Sequence, residues 1–192
     1  MELTYSDYLK VRDLTNLQEL RSDGKEHDEM LFIIIHQSYE LWFKQIIHEL
    51  DSVMNLFQSS YIEERNLSII LNRLDRVAMI QELLISQIKI LESMTPMDFL
   101  EFRNLLSPAS GFQSLQFRVI ENKLGLKREN RLRFSKETYD CQLNKKEQNL
   151  AIESEKECLF YYLEQWLERT PFIKSENFNF WKEYQSNVSS MN

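Results

Sequence analysis

Apolar residues recur every three or four positions along most of the chain, and this spacing predicts helices rather than strands. Two long helices are predicted, one over about 28–57 and one over about 63–93. In the second helix the spacing is carried by Ile70, Leu74, Val77, Ile80, Leu84, Ile88 and Leu91. Their similar length and the short connection between them favour antiparallel packing. No stretch shows the period-two alternation that a half-buried strand requires.

A third, shorter helix is predicted from the residues at its start. Thr95 is suited to cap it, Pro96 to occupy its first position, and Asp98 to complete a capping box three residues after the cap. The sequence SPASG ends this helix. A fourth helix is predicted over FQSLQFRVIENKLG, and Gly125 is suited to the left-handed position that follows a helix end.

The rest of the chain is less regular. The sequence LKRENRLRFSKETYDCQLN has no clear period and is predicted to be a solvated loop. One further helix is predicted over about 145–168. Its apolar side is formed by Leu159, Tyr162, Leu163 and Trp166. The predicted fold is therefore all-α, a helical bundle with two long antiparallel helices. Its parts are an N-terminal arm (1–26), pocket-forming helices (27–125), a loop (126–145) and C-terminal helices (146–192).

Composition narrows the classes of function. The chain has 192 residues with only 3 Gly and 3 Pro, as expected of a helical domain with a sizeable core. Its net charge of −7 argues against nucleic acid and anionic membranes as partners. No apolar run approaches the roughly 20 residues that cross a bilayer, and the N-terminus lacks the features of a signal peptide. Cys141 and Cys158 form no disulfide or metal-binding pattern, which indicates reduced thiols in a cytoplasmic protein.

A histidine lies inside the apolar stripe of the first long helix. At 100° per residue, its face is shared by Phe32, His36, Tyr39, Phe43, Ile46, Ile47 and Leu50. His48 falls on the opposite, solvent-facing side. His36 is therefore either a core histidine satisfied by a neighbour or an imidazole that faces a ligand pocket. In the second case the neutral ring can donate or accept one hydrogen bond.

Arg103 raises the same question on the third helix. Three apolar residues share its side of that helix: Phe99, Phe102 and Leu106. A guanidinium beside so much apolar carbon needs a partner. That partner is either an internal carboxylate, such as Glu92 or Glu121, or the carboxylate of a small molecule held by two parallel hydrogen bonds. Together with His36, the second alternative suggests an aromatic amino acid as ligand.

Other sequence patterns give no site. The chain has no glycine-rich phosphate loop, no CxxC and no HExxH. The HDE sequence at 27–29 is more typical of charge at a helix start than of a metal site, because adjacent residues on a helix point in different directions. The basic sequence KRENRLR belongs to the predicted solvated loop and, in an acidic chain, does not indicate a nucleic-acid surface.

Three stretches resemble the tryptophan 2,3-dioxygenase family. They are HDEMLFIIIHQSYELWFKQIIHELDSV, ILESMTPMDFLEFRNLLSPASGFQSLQFRVIENKLG, and WLERTPF followed by FNFW. The likeness spans nearly the whole chain and is weakest over about 126–145. It implies an all-helical homotetrameric enzyme with haem. Such an enzyme opens the indole ring of L-tryptophan with dioxygen to give N-formylkynurenine, the first step of tryptophan degradation by the kynurenine pathway.

The resemblance also implies roles for individual residues. His36 matches the distal histidine that bonds the indole N–H, and Arg103 matches the arginine that holds the substrate carboxylate. Phe99 and Leu106 match positions in the pocket wall. The remaining matches are the segment beside the histidine and an arm that reaches into a neighbouring subunit's pocket: Phe32, Ile33, Ile34, Ile35, Tyr5, Tyr8 and Leu9.

The chain departs from the family at the axial haem ligand. In the family this ligand is a histidine in the second half of the catalytic domain, whereas His27, His36 and His48 all lie in the first quarter of this chain. No metal ligand is therefore assigned, and the chain resembles the N-terminal part of the family's domain without its C-terminal half. Alone, it is expected to bind haem weakly or not at all and to turn over no tryptophan.

Two classes of function follow from these observations. One is the dioxygenase or its N-terminal portion. The alternative is a non-enzymatic helical protein without haem that oligomerises or binds indole weakly. Both predict self-association, because long apolar helices in such a chain leave more apolar surface than a monomer tolerates.

Overall fold

The helical pattern of the sequence is reproduced in the structure, a computed structural model that describes residues 3–59, 62, 64–131, 138–169, 174–175, 178–179, 186 and 189. Within these ranges the helices are α1 (Tyr5–Leu9), α2 (Val11–Leu14), α3 (Asp28–Phe57), α4 (Glu64–Leu91), α5 (Pro96–Leu106), α6 (Leu115–Leu124), α7 (Lys145–Glu153) and α8 (Leu159–Arg169). Short 3-10 turns occur at Gly111–Gln113 and Arg128–Asn130. β1 (Lys174–Ser175) and β2 (Phe178–Asn179) form one small antiparallel pair. The all-α prediction is confirmed.

The two long helices pack antiparallel, as predicted. The Tyr39 hydroxyl of α3 donates a 2.5 Å hydrogen bond to the Leu84 carbonyl of α4. Further along α3, the Glu49 carboxylate accepts a 2.6 Å hydrogen bond from Arg76, which lies earlier in α4. Rising residue numbers on one helix therefore meet falling numbers on the other. The core between them is closed by α6 and consists of Ile46, Leu50, Val77, Ile80, Leu84 and Ile120.

A second core cluster holds the end of α3 against α8. Its buried members are Val53, Met54, Phe57, Ile62, Ile70 and Tyr162. The Gln58 side-chain amide donates a 3.0 Å hydrogen bond to the Tyr162 hydroxyl, 104 residues away in sequence. The Phe57 and Trp166 rings meet edge to face, 6.0 Å between centroids. The apolar side predicted for this helix is thus confirmed, although Leu163 lies at its exposed margin.

The helix starts follow local side-chain chemistry. The Thr95 hydroxyl accepts the Asp98 N–H at 3.2 Å and the Asp98 carboxylate accepts the Thr95 N–H at 3.1 Å, so the predicted capping box is confirmed. The fourth helix begins later than predicted, because the Ser114 hydroxyl caps it by accepting the Phe117 N–H. It ends as predicted at Gly125, whose φ of +93° lies in the left-handed region.

The single helix predicted over 145–168 is wrong, because the structure divides it into α7 and α8. In an uninterrupted helix the Ala151 carbonyl would accept the N–H of Glu155. Here it accepts the Asn122 side-chain amide at 2.8 Å and the Ser154 hydroxyl at 2.7 Å. The Glu155 N–H bonds instead to the Ile152 carbonyl. A side chain from α6 thus helps to end α7.

The loop predicted over 126–145 is confirmed in its described part, which before α7 contains only turns and the 3-10 turn at Arg128–Asn130. Its predicted solvation is wrong at Arg131. Arg131 is buried and donates to the Glu121 carboxylate at 2.9 Å, while its guanidinium carbon lies 3.7 Å from the centroid of the Tyr139 ring. Arg128 donates to both Glu155 carboxylate oxygens at 3.0 Å. These two arginines hold the segment after α6 against Glu121 of α6 and against Glu155, which follows α7. Residues 132–137 lie outside the described residues, as does most of the predicted C-terminal region beyond 169.

Two further sequence predictions concern covalent and membrane chemistry. Cys141 is exposed and Cys158 is half-buried, and no disulfide joins them in the structure. Within the described ranges, every helix is too short or too polar to span a bilayer.

Candidate functional site

The candidate site lies where α5 crosses the N-terminal half of α3, and its base is a cluster of three phenylalanines. Phe102 is fully buried and wedges between the helices, with ring centroids 5.7 Å from Phe32 and 5.5 Å from Phe99. Phe32 and Phe99 themselves stack at 5.6 Å and 27°. Because Phe99 and Phe102 are three residues apart on α5, both rings reach the same side of α3. Phe102 therefore fixes the two rings that remain partly exposed.

His36 extends this aromatic surface along α3. Its ring centroid lies 4.1 Å from that of Phe32, and its Nδ1 lies 2.7 Å from the Phe32 carbonyl oxygen. Because a carbonyl oxygen only accepts, Nδ1 carries the proton in this hydrogen bond. In the neutral ring Nε2 is then an acceptor. The Phe32 carbonyl thus selects the tautomer whose Nε2 can accept a hydrogen bond from an N–H group of a ligand.

Arg103 lies at the other end of the surface. Its guanidinium carbon is 5.7 Å from the centroid of the Phe99 ring, and its side chain is exposed. Among the described residues it forms no ion pair. Neither internal carboxylate suggested by the sequence pairs with Arg103. Glu121 pairs with Arg118 at 2.7 Å. Glu92 forms no ion pair among the described residues. The Arg103 donors are therefore available to an external carboxylate.

The four side chains form a continuous row in the order Arg103, Phe99, Phe32 and His36. A cation stands at one end, two stacked aromatic faces lie in the middle, and a hydrogen-bond acceptor stands at the other end. Such a row can bind a planar apolar ligand that carries an anionic group and an N–H. The geometry thus brings together four of the residues selected from the sequence.

Of the two alternatives for His36, the core histidine is wrong, because its side chain is exposed. The imidazole that faces a ligand stays a prediction. A helical wheel gives the direction of a side chain but not the element that covers it. The segment beside His36 also divides by direction: Ile35 is buried in the core, Ile33 is half-buried and Ile34 is 48% exposed. Consecutive helical residues point 100° apart, so these three cannot line one surface together. Leu106 lies half-buried, about one turn beyond Arg103.

The arm residues are not brought to the row. Tyr5, Tyr8 and Leu9 lie on α1 and are 76%, 72% and 44% exposed. In the described part of the chain, no hydrogen bond or ring contact joins them to α3 or α5. Their predicted role in a neighbouring subunit's pocket stays a prediction.

Two open grooves among the described residues lie away from the row. A groove of about 670 Å³ runs between α3 and α4 beside Trp42, Met79 and Leu83. A second, of about 530 Å³, lies between α6 and α7 beside Val119 and Leu150. Neither contains a residue of the row, which is an open surface on this chain.

Sequence reasoning missed the role of Glu29 in the HDE sequence. This residue is fully buried, and its carboxylate accepts the Arg21 N–H at 2.7 Å and the Ser22 N–H at 2.9 Å. Burial alone would raise the pKa of the carboxyl, but the hydrogen bonds from Ser22 and Arg21 outweigh it and hold the pKa below its ordinary value. No group of three metal-binding side chains occurs among the described residues. Helix-start charge was therefore an incomplete interpretation of Glu29.

The SPASGFQSLQFR stretch positions α6 against α3. The Gln116 amide donates to the Glu40 carbonyl at 2.9 Å and to the Glu40 carboxylate at 2.7 Å. Phe117 packs on Phe43 with ring centroids 5.5 Å apart. In the described residues this distinctive stretch therefore supports the helix that carries His36 rather than lining the row itself.

Comparisons with known proteins agree with the resemblance seen in the sequence. The family model described as tryptophan 2,3-dioxygenase matches residues 1–192. A protein named tryptophan 2,3-dioxygenase from Dictyostelium discoideum is 49% identical over 97% of this chain and 48% of its own length. Proteins of the same name from Bdellovibrio bacteriovorus and Rattus norvegicus are 48% and 47% identical over 97% of this chain, which covers 53% and 47% of their lengths.

The chain spans about half the length of the curated relatives that it matches. Within that span, the match runs over the row, both long helices and the capped helix α5. A family model that covers the whole chain, together with identities near one half, establishes common descent at the level of the family. The chain belongs to the tryptophan 2,3-dioxygenase family.

Proposed function

We propose that this chain carries the substrate-recognising surface of a tryptophan 2,3-dioxygenase. The complete enzyme would open the indole ring of L-tryptophan with dioxygen to give N-formylkynurenine, in the cytoplasm. The observation that carries the proposal is the row itself, with an exposed guanidinium at one end and an acceptor nitrogen at the other. Family membership supplies the substrate whose groups match both ends.

The row would hold L-tryptophan by three kinds of contact. Arg103 would bind the carboxylate through two parallel charge-assisted hydrogen bonds. The indole ring would pack against the partly exposed side chains of Phe32 and Phe99. His36 Nε2 would accept the indole N–H, because Nδ1 already donates to the Phe32 carbonyl. Fixing both ends of the substrate orients its ring for the reaction and lowers the entropic part of the barrier.

Haem, which the family resemblance implies, does not fit the donors of this chain. His36 Nδ1 is bonded to a backbone carbonyl, and its Nε2 belongs to the substrate side. His48 is exposed, about 120° around α3 from His36, and His27 lies about 13 Å along the axis. The Cys158 sulfur accepts the Tyr161 N–H at 3.4 Å, at the start of α8. These residues do not provide a proximal ligand for haem iron.

The proposal includes self-association, with the family's homotetramer as the expected form. In support, α4 exposes four large apolar side chains to at least half of their area: Leu71, Met79, Ile85 and Ile90. The exposed Tyr5 and Tyr8 suit an arm that enters a neighbouring subunit. Light scattering at micromolar concentration tests this point, and a monodisperse monomer would count against it.

The recognition proposal is tested by calorimetry with L-tryptophan. We expect Arg103→Lys to weaken binding more than His36→Ala, because lysine cannot reproduce the guanidinium fork. The single neutral hydrogen bond of His36 contributes on the order of 1 kcal/mol, or about fivefold in Kd. Arg65→Lys, an exposed substitution on α4, is the control and should bind as the unmodified chain does. The opposite order of the two variants would mean that the carboxylate is held elsewhere.

A second candidate function is indole binding or oligomerisation without haem and without catalysis. The observation that favours it is the lack of a suitable proximal donor among the three histidines. Haemin titration, with spectra before and after dithionite, separates the two candidates. We expect no stoichiometric complex with the 192-residue chain. A five-coordinate, histidine-ligated ferrous spectrum together with N-formylkynurenine formation would refute that expectation.

A further inference from the structure

The segment that joins the arm to α3 is fastened to that helix at two points. We call residues 17–22 the strap. At its first point, the Gln37 side-chain amide donates to the Leu17 carbonyl at 3.1 Å, and its oxygen accepts from the Gln18 amide at 2.6 Å. At the second point, the buried Glu29 carboxylate accepts two consecutive backbone N–H groups of the strap. All four hydrogen bonds cross between the strap and α3.

The spacing of the two points fits an extended chain. Glu29 and Gln37 are separated by about 12 Å of helix at 1.5 Å per residue. The strap covers the same interval in four residues, which span about 13 Å at roughly 3.3 Å each. The chain then reverses into α3 through Asp23 and Gly24, whose φ values are +54° and +78°. The strap therefore runs antiparallel to α3 with little slack.

This arrangement decides where α1 and α2 leave the body of the protein. They precede the strap, and their polar contacts are mainly internal, such as Thr4 with Asp7 and Thr15 with Val11. Their direction is thus set by the end of the strap at Leu17. That end is bonded to Gln37, which follows His36 in sequence but points about 100° away from it around α3. The arm consequently departs from the N-terminal half of α3 at Gln37.

We propose that Gln37 and Glu29 are positioning residues that fix where α1 and α2 leave the N-terminal half of α3. Gln37 sets the point of departure, and Glu29 holds the strap against α3 so that this point cannot slide. The inference rests on the proposed function in one respect, namely that an arm placed there contributes to substrate recognition. The strap bonds themselves are independent of any ligand. Neither residue touches the row, so both act through the arm.

The experiment measures the position of α2 relative to α5 by pulsed electron spin resonance. Spin labels are attached at Arg12→Cys and Asn104→Cys, both exposed positions, in the 192-residue chain carrying Cys141→Ser and Cys158→Ser. We expect one narrow distance distribution before further substitution. Gln37→Ala should at least double its width, because it removes both bonds at the first point of the strap.

A matched control separates positioning from general destabilisation. Gln45→Ala removes a glutamine amide from the same helix, where it donates to Glu49 at 2.7 Å, away from the strap. Its distribution should stay narrow even where its thermal midpoint falls as far as that of Gln37→Ala. Gln18→Ala, which removes one of the two bonds at the same point, should give intermediate width and serves if Gln37→Ala does not fold.

Three results would overturn the inference: a broad distribution before substitution, an unchanged width in both strap variants, or equal broadening in Gln45→Ala. Failure of the proposed function has a different signature. If L-tryptophan does not bind in calorimetry while the strap variants broaden the distribution, the positioning role stands and the recognition surface does not.

Discussion

The two halves of α3 have different surroundings although they belong to one continuous helix. In the C-terminal half, Ile46, Leu50 and Val53 are at most 1% exposed, and Glu49 is buried against Arg76. That half is enclosed by α4, α6 and α8. In the N-terminal half, α5 and the strap leave His36 open. The main core and the proposed recognition surface are therefore separated along one helix, because different numbers of elements pack around its two halves.

The largest expected effect lies in the enclosed half. Leu50→Ala removes a fully buried side chain from the main core cluster and should lower the free energy of unfolding by about 3–5 kcal/mol. Leu41→Ala, at a 53% exposed position of the same helix, should cost less than about 0.5 kcal/mol. Urea denaturation of both variants measures the difference. Similar losses would show that α3 is not stabilised mainly by this enclosure.

Glu49 gives the enclosed half a dependence on pH. Burial would raise the pKa of this carboxyl, but hydrogen bonds from Arg76 and Gln45, with the charges of Arg76 and His48, hold it below the ordinary value of 4.5. Its contribution to stability is therefore complete above about pH 4.5 and is lost as the pH falls through the lower, folded-state pKa. Glu49→Gln should cost about 2 kcal/mol at pH 7 and flatten this acid limb. Denaturation curves recorded from pH 7 to 3 measure this loss of stability. If Glu49→Gln loses as much stability in acid as the unmodified chain does, the loss belongs to other carboxyls.

Phe102 tests whether the stability of the fold and the proposed binding of L-tryptophan depend on separate residues. It is buried, yet it supports both rings of the row. Phe102→Leu should lower the free energy of unfolding by about 1–2 kcal/mol and also weaken L-tryptophan binding, since Phe32 and Phe99 lose their common support. Calorimetry beside urea denaturation measures both. A loss of stability without any loss of binding would mean that the rings are held by other contacts.

The smallest effect on stability is expected at the row itself. His36→Ala and Arg103→Lys alter exposed side chains, so each should change the free energy of unfolding by less than about 0.5 kcal/mol. The same variants are those expected to weaken L-tryptophan binding. If either variant lowers the free energy of unfolding by more than about 1 kcal/mol, that residue contributes to the stability of the fold. The two halves of α3 would then differ less than proposed.

Sequence reasoning predicted the features that depend on neighbours within about four residues. The cap at Thr95, the end of α6 at Gly125 and the periodic faces of α3 and α4 are of this kind. Helical spacing also selected His36 and Arg103, whereas the pocket roles of Phe32 and Phe99 came from the family resemblance.

The errors concern contacts with distant residues. The break between α7 and α8 depends on the Asn122 side chain, some 30 residues earlier, and Arg131 is buried because Glu121 and Tyr139 receive it. The exposure of His36 depends on which elements cover α3. None of these partners is visible in a local pattern, because periodicity gives direction but not packing.

The hydrogen bond between Gln58 and Tyr162 has a consequence for the order of folding. It joins residues 104 positions apart, whereas α3 and α4 are neighbours in sequence and meet across a short connection. Closing the longer loop costs more chain entropy, and contacts of high sequence separation slow folding. We therefore expect the α3–α4 hairpin to assemble first and α8 to dock last. By the same reasoning α8 would be the first helix to detach, so its amide hydrogens should exchange with solvent before those of the hairpin.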